Sequence, residues 1–190
     1  MARRQSTYVG RGGDKLAAAL DAFELDPRGL LCADLGANVG GFADCLLRRG
    51  AARVYAVDTG YGALAWSLRT DDRVVVMERI NALHCDPPEP VDLVTVDVAW
   101  TPQERIVPAA LRWLRAGGRL ISLLKPHYEL VKMRRRRPGK PLSDRDADDA
   151  CGTVCRRLGD LGASVRAAMR SPLRGKGGSA EFLLLIAPGR

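Results

Sequence analysis

No apolar run in the chain approaches the roughly 18 residues that a membrane span needs. Arg3 and Arg4 stand near the amino terminus, but no apolar stretch follows them, so no secretory signal is visible. Cysteines are few and odd in number. The five, Cys32, Cys45, Cys85, Cys151 and Cys155, are scattered and do not read as a disulfide framework. Cys151 and Cys155 stand four apart on one face of an expected helix. A metal site there would need two further ligands, and His84 and His127 lie in unrelated segments, so burial is the favoured reading and no metal is expected. Two nucleotide signatures are also missing. Counting from Gly36, the second glycine of a G-x-G-x-x-G dinucleotide loop would fall on Asn38, and no G-x-x-x-x-G-K-[ST] occurs. These absences favour a cytoplasmic protein without membrane contact.

Basic charge is in excess. Thirty Lys and Arg face 22 Asp and Glu, a net charge of +8, which favours a polyanionic partner. Much of the excess sits in one cluster, Lys132, Arg134, Arg135, Arg136, Arg137 and Lys140. The competing reading is a solvated, flexible charge run. A length of 190 residues and a hydrophobic fraction of 46% suit one domain over 1–190. Residues 1–9 are expected to be flexible and 132–141 to form a basic loop.

Apolar patterning gives strands at 30–35, 53–58, 73–77, 91–98, 119–124, 163–169 and 181–187. Helices are expected at 16–23, 41–49, 64–69, 103–114 and 143–161, the last with Ser143 as N-cap and aspartates in its first turns. The stretch 171–179, with four Gly or Pro, reads as a loop. Strands alternating with helices define an α/β, Rossmann-like fold, with a mostly parallel seven-stranded sheet covered on both faces.

The strongest local motif is Asp34-Leu35-Gly36-Ala37-Asn38-Val39-Gly40-Gly41-Phe42, a D-x-G-x-x-x-G-G-F turn from strand to helix. Glycines let backbone approach a ligand, and the helix start favours a carboxylate or phosphate. The pattern is that of S-adenosylmethionine (SAM) enzymes. Asp34, Gly36, Ala37, Asn38, Gly40, Gly41 and Phe42 are the expected cofactor loop. Asp58 and Thr59 end the second strand, where a carboxylate can accept bonds from both ribose hydroxyls. Asn81 follows the third strand, where an amide could read adenine, and Asp97 ends the fourth. A glycine-rich turn without a ligand is the alternative.

Four further phrases fall in order along this pattern: R-G-G-D-K-L with Lys15, V-D-V-A-W with Asp97, L-L-K-P-H-Y-E with Lys125, and G-G-S-A-E-F-L with Glu181. Together with Y-V-G-R-G-G-D-K-L, G-Y-G-A-L-A-W-S-L-R and M-E-R-I-N, the chain resembles the TlyA (haemolysin A) branch of the FtsJ-like rRNA methyltransferases, from Tyr8 to about Ile186. The resemblance implies a Rossmann-like methyltransferase fold, SAM as donor, and a ribose 2′-hydroxyl of structured ribosomal RNA as acceptor. It also implies Lys15, Asp97, Lys125 and Glu181 as the catalytic tetrad. Members usually carry an N-terminal S4-like RNA-binding domain, whereas a few polar residues precede Gly10 here, so a separate RNA-binding partner is one expectation. The usual G-A-S-T-G-G-F is G-A-N-V-G-G-F, D-V-S-F is D-V-A-W, and K-P-Q-F-E is K-P-H-Y-E.

A ribose hydroxyl needs in-line placement and the removal of one proton. Lys125 is assigned to accept or steer that proton. Asp97 would orient its amine, and Lys15 with Glu181 would complete a hydrogen-bonded cage. As single residues, Lys15 as a solvated helix lysine and Glu181 as an edge-strand charge are the bland readings. Arg11, Trp100, His127 and Arg134, Arg135, Arg136 and Arg137 are expected to contact RNA, with Trp100 stacking on a base. Tyr128 could join them, while Trp66 and Trp113 read as core. Two alternatives stay open: a SAM enzyme acting on a small molecule, and a non-catalytic RNA-binding protein of the same fold. Nothing in the chain supports a pore-forming protein.

Overall fold

The computed structural model describes residues 6–132 and 142–189. Seven strands, β1 (Leu31–Leu35), β2 (Arg53–Asp58), β3 (Val74–Glu78), β4 (Val91–Val96), β5 (Leu114–Leu124), β6 (Ala163–Arg170) and β7 (Phe182–Pro188), form one sheet ordered β3-β2-β1-β4-β5-β7-β6. All neighbouring pairs from β3 to β5 are parallel, and β7 runs antiparallel to both β5 and β6. The helices are α1 (Gly12–Ala22), α2 (Gly41–Arg48), α3 (Trp66–Arg69), α4 (Gln103–Leu111), α5 (Pro126–Lys132) and α6 (Asp144–Asp160). The order of the strands reverses between β1 and β4, and a crevice opens beyond their carboxyl ends, where such folds bind ligands.

The two faces of the sheet are sorted by residue parity. On β5, Leu120 and Leu124 join one core with Ile106, Trp113, Val154 and Leu158, while Ile121 and Leu123 join the other with Leu16, Phe42 and Leu46. On β7, Phe182, Leu184 and Ile186 face the first core and Leu183 the second. Successive side chains of a strand point to opposite faces, so a sheet covered on both sides needs the continuous apolar runs seen in the sequence.

Several expectations change. Helix α1 begins at Gly12 rather than residue 16, and α4 ends at Leu111 rather than 114. Leu114 pairs with Val91 across the sheet, which extends β5 five residues upstream of the expected 119. The seven-residue α5 was not foreseen; it opens on Pro126, whose fixed φ suits a first helical position. Residues 6–9, expected to be loose, are docked: the Val9 N–H donates to Asp44 Oδ2 at 2.8 Å, and the Arg48 guanidinium lies over the Tyr8 ring. Trp113 is fully buried, but Trp66 is 74% exposed. It opens the single-turn α3, whose buried contact is made by Leu68. Ser143 caps α6 as expected, its Oγ accepting from the Asp146 N–H. Residues 133–141, with Arg134, Arg135, Arg136 and Arg137, lie outside the described residues.

Candidate active site

Two adjoining hollows open at the carboxyl ends of the strands. The larger, about 510 Å³, is lined by Gly36, Asn38, Asp58, Thr59, Asn81, Asp97 and Trp100, among others. The smaller, about 210 Å³, is lined by Arg11, Asp34, Gly36, Ala37, Asn38, Gly41, Phe42, Asp97 and Lys125. They share Gly36, Asn38, Asp97 and Ala99, so the glycine loop forms the saddle between them. The volume of the larger lies within the ~300–1,000 Å³ of ordinary small-molecule sites.

The saddle is built by close backbone approach. Gly36 has φ +90°, and a Cβ there would sit 2.6 Å from the carbonyl oxygen of Asp97. The Asp97 N–H donates to Leu35 O at 3.0 Å, locking the end of β4 against this turn. Asn38 also has a positive φ, +49°, a region that Asn tolerates better than most residues. Its N–H donates to Asp58 Oδ2 at 2.8 Å, and the Gly60 N–H donates to Asp58 Oδ1 at 2.7 Å.

Asp34 lies beneath the loop, only 1% exposed. Ala43 N–H of α2 and the Thr95 hydroxyl donate to its two oxygens, so it holds the turn from below. Burial pushes its carboxyl up to about 7; the two hydrogen bonds oppose that rise, and the nearby charges of Asp97 and Asp58 add to it. Of the three carboxylates around the loop, Asp97 is paired with Lys125 and burial raises Asp34, which leaves Asp58 as the charge matched by no cation among the described residues. Asn81 Oδ1 accepts from Leu83 N–H, which sets the turn that carries Asn81 into the larger hollow.

The four tetrad residues form two ion pairs. Lys15, on α1, donates to Glu181 Oε2 at 2.5 Å, with side-chain exposures of 10% and 4%. Lys125 pairs with Asp97 Oδ1 and reaches Val98 O at 3.5 Å. Leu124 pairs with Phe182 across β5 and β7, so Lys125 and Glu181 stand at adjoining strand ends. The bland readings of Lys15 as a solvated lysine and Glu181 as a surface charge do not hold, since both are buried.

Trp100, 61% exposed, has φ +64°, a strained conformation for a bulky residue. Its ring lies 4.6 Å from that of Tyr128, which in turn lies 4.0 Å from that of His127. An aromatic lip therefore borders the Asp97–Lys125 end of the crevice. Arg11 is exposed, yet it donates to the carbonyl of Arg174 at 2.6 Å, a structural tie that its sequence context did not reveal. Glu129, in the phrase L-L-K-P-H-Y-E, has a role that the phrase alone does not reveal. It is 4% exposed and accepts from the Gln103 N–H, capping α4, while burial pushes its carboxyl up to about 7. The Ser122 hydroxyl donates to Gln103 Oε1 at 2.6 Å, so α5, the start of α4 and the end of β5 share one buried polar network. Among the described residues, no group of three or more His, Cys, Asp or Glu could hold a metal ion, and no helix is long and apolar enough to cross a membrane.

This strand order, with an antiparallel seventh strand and a glycine crevice at the switch point, is the fold of SAM-dependent methyltransferases. The magnesium protoporphyrin IX methyltransferase of Synechocystis, solved with bound S-adenosylhomocysteine, superposes with a TM-score of 0.62 at 19% identity, covering 94% of this chain and 83% of that one. The chain belongs to the FtsJ-like methyltransferase family, which matches residues 8–187. It is 38% identical over 185 residues to the 16S/23S rRNA (cytidine-2′-O)-methyltransferase TlyA of Mycobacterium tuberculosis, covering 96% of this chain and 69% of that protein. A solved structure from Streptococcus thermophilus, described as a candidate hemolysin, has a TM-score of 0.88 at 32% identity, covering 99% of this chain and 70% of that one.

Proposed function

We propose that the protein transfers a methyl group from SAM to a ribose 2′-hydroxyl of RNA, with ribosomal RNA as acceptor, in the cytoplasm. The observation that carries the reading is the paired arrangement Lys15–Glu181 and Lys125–Asp97 at adjoining strand ends beside the glycine crevice. The names of the M. tuberculosis relative and of the family support the reaction class.

The crevice fits SAM on three counts. Gly36 and Asp97 approach backbone to backbone, so the glycine loop stays thin and both hollows open onto it. Asp58, at the end of β2, retains acceptor capacity for ribose hydroxyls beside its two backbone bonds. Asp97 is already paired with Lys125 and burial raises Asp34, so Asp58 is the carboxylate left to favour the cationic donor. Gly36, Ala37, Asn38, Gly41 and Phe42 would hold the cofactor from the loop side, with Gly40 packed behind them against Leu64 and Leu68. Asp58, Thr59 and Asn81 would hold its adenosine part. Bound SAM supplies an already activated methyl group.

The protein's share is placement and proton handling. Asp97 holds the Lys125 side chain at the mouth of the smaller hollow, where the amine, after its ammonium has released a proton to water, accepts the proton of the acceptor hydroxyl as the methyl is transferred. Lys15 and Glu181, buried at the strand end that adjoins Lys125, line neither hollow and are assigned to position the ribose from behind it. Trp100, with Tyr128 and His127 behind it, stacks on an unstacked base. Arg11 and the 134–137 arginines contribute phosphate contacts, and a separate RNA-binding partner can add to them.

The test is transfer of labelled methyl from SAM to total ribosomal RNA and ribosomal subunits, wild type beside Lys125→Ala. Label recovered as 2′-O-methylnucleoside with wild type alone is the expected result. Strong residual turnover by Lys125→Ala would remove the role given to that lysine. Measurable SAM binding without label would remove ribosomal RNA as the acceptor.

A further inference from the structure

Resting on the reading above, we propose that the loop 171–179 is a positioning element that sets the Glu181 carboxylate against Lys15, with Gly175 as its contact and Arg174 as its anchor. The contact is steric. A Cβ on Gly175 would lie 2.1 Å from Glu181 Oε1 and 2.7 Å from its carboxyl carbon, so the backbone of residue 175 is the wall behind that carboxylate. One carboxylate oxygen meets this wall, and the other accepts from Lys15. Any side chain at 175 must push Glu181 away or shift the loop.

The loop is held from both sides. Its ends are joined by the Ser171 N–H donating to Glu181 O at 2.8 Å, and the Gly175 N–H donates to Ser179 O at 2.9 Å. Arg174 donates to both oxygens of Asp144, at 3.0 and 2.9 Å, and to Gly178 O at 3.1 Å, tying the loop to the start of α6. Arg11, the residue that precedes α1, donates to the carbonyl of Arg174 at 2.6 Å. A closed ring results: Arg11, α1, Lys15, Glu181, Gly175, Arg174 and back to Arg11. Both partners of the buried pair are thus referenced to the same loop. The Arg174 and Asp144 side chains are 55% and 53% exposed, so their ion pair adds little to stability and its role is geometric.

Two measurements test this. The first needs no substrate: a double-mutant cycle of Lys15→Met and Glu181→Gln, read as denaturation midpoints, in the wild-type and Gly175→Ala backgrounds. The non-additive shift present in the wild-type background is expected to vanish with Gly175→Ala. The second is methyl transfer to ribosomal RNA. Gly175→Ala is expected to lower kcat by roughly 10–100-fold with KM for SAM unchanged, the scale of an ångström-level misplacement. Arg174→Asp is expected to lower kcat with little change in midpoint, and the swap Arg174→Asp with Asp144→Arg to restore it. A persistent Lys15–Glu181 coupling in Gly175→Ala, or an unchanged kcat there, overturns the proposal. If wild type leaves ribosomal RNA unlabelled while Gly175→Ala still abolishes the coupling, the positioning stands and the assigned reaction falls.

Discussion

Lys15 and Glu181 are buried deeply enough for their removal to be read as thermodynamics. Substituting Lys15→Met leaves a carboxylate that is 4% exposed without its cation, and Glu181→Gln strands an amine that is 10% exposed. Breaking one side of a buried pair costs about 3–5 kcal/mol. A domain of this size unfolds at ~5–15 kcal/mol, so the loss is about a fifth of the total at the least and all of it at the most. At ~2–4 °C per kcal/mol the melting temperature should fall by roughly 6–20 °C. Removing both charges together, Lys15→Met with Glu181→Gln, should recover most of that loss, because no uncompensated charge remains. Lys125 and Asp97 are the internal control. Their side chains are 16% and 29% exposed, so water reaches both, and Lys125→Met should cost about 1–2 kcal/mol. The assay is chemical and thermal denaturation of the five proteins side by side. Equal losses at Lys15 and Lys125, or a double variant as unstable as the sum of its singles, would refute the assignment of a buried, mutually dependent pair.

Gly36→Ala should lose about 2–4 kcal/mol of stability and most SAM affinity, since φ +90° disfavours a side chain and the new Cβ would strike the Asp97 carbonyl; unchanged calorimetric binding would contradict the saddle. Trp100→Ala should weaken RNA binding by about 1–3 kcal/mol, the worth of one base stack; an unaltered RNA Kd would dismiss the aromatic lip. For Glu129, burial raises the folded-state carboxyl to about 7 from an ordinary 4.5. Its contribution is therefore fully present below the unfolded value and is lost as pH rises through the window up to the folded one, by a few kcal/mol at most. Asp34, raised in the same direction, adds to the slope. Denaturation midpoints should fall from pH 5 to pH 8, and Glu129→Gln should flatten part of that fall; a variant with the wild-type slope would rule Glu129 out.

The sequence by itself determined the sheet, because strands buried on both faces must be apolar at consecutive positions. Leu31 to Leu35, Val91 to Val96 and Leu120 to Leu124 have no other folded use at that length. It also determined the cofactor turn, where Gly36 and the following G-G-F are local necessities of backbone geometry. Helix ends were less legible. Leu114 reads as the last apolar position of α4 until its pairing with Val91 claims it for β5, and that pairing is a long-range fact. Trp66 has helical spacing but opens a single turn, too short to have a buried face beyond Leu68. The site was legible only as four separate phrases. The resemblance already set Asp97 to orient the Lys125 amine; that Lys15 and Glu181 meet each other in a buried ion pair was decided by the antiparallel docking of β7 on β5 and by α1 packing on α2. The ties from Arg11 to Arg174 and from Gly175 to Glu181 were likewise invisible in one dimension. They depend on side chains and backbone more than 160 residues or a whole loop apart meeting in space, and no local propensity encodes that distance.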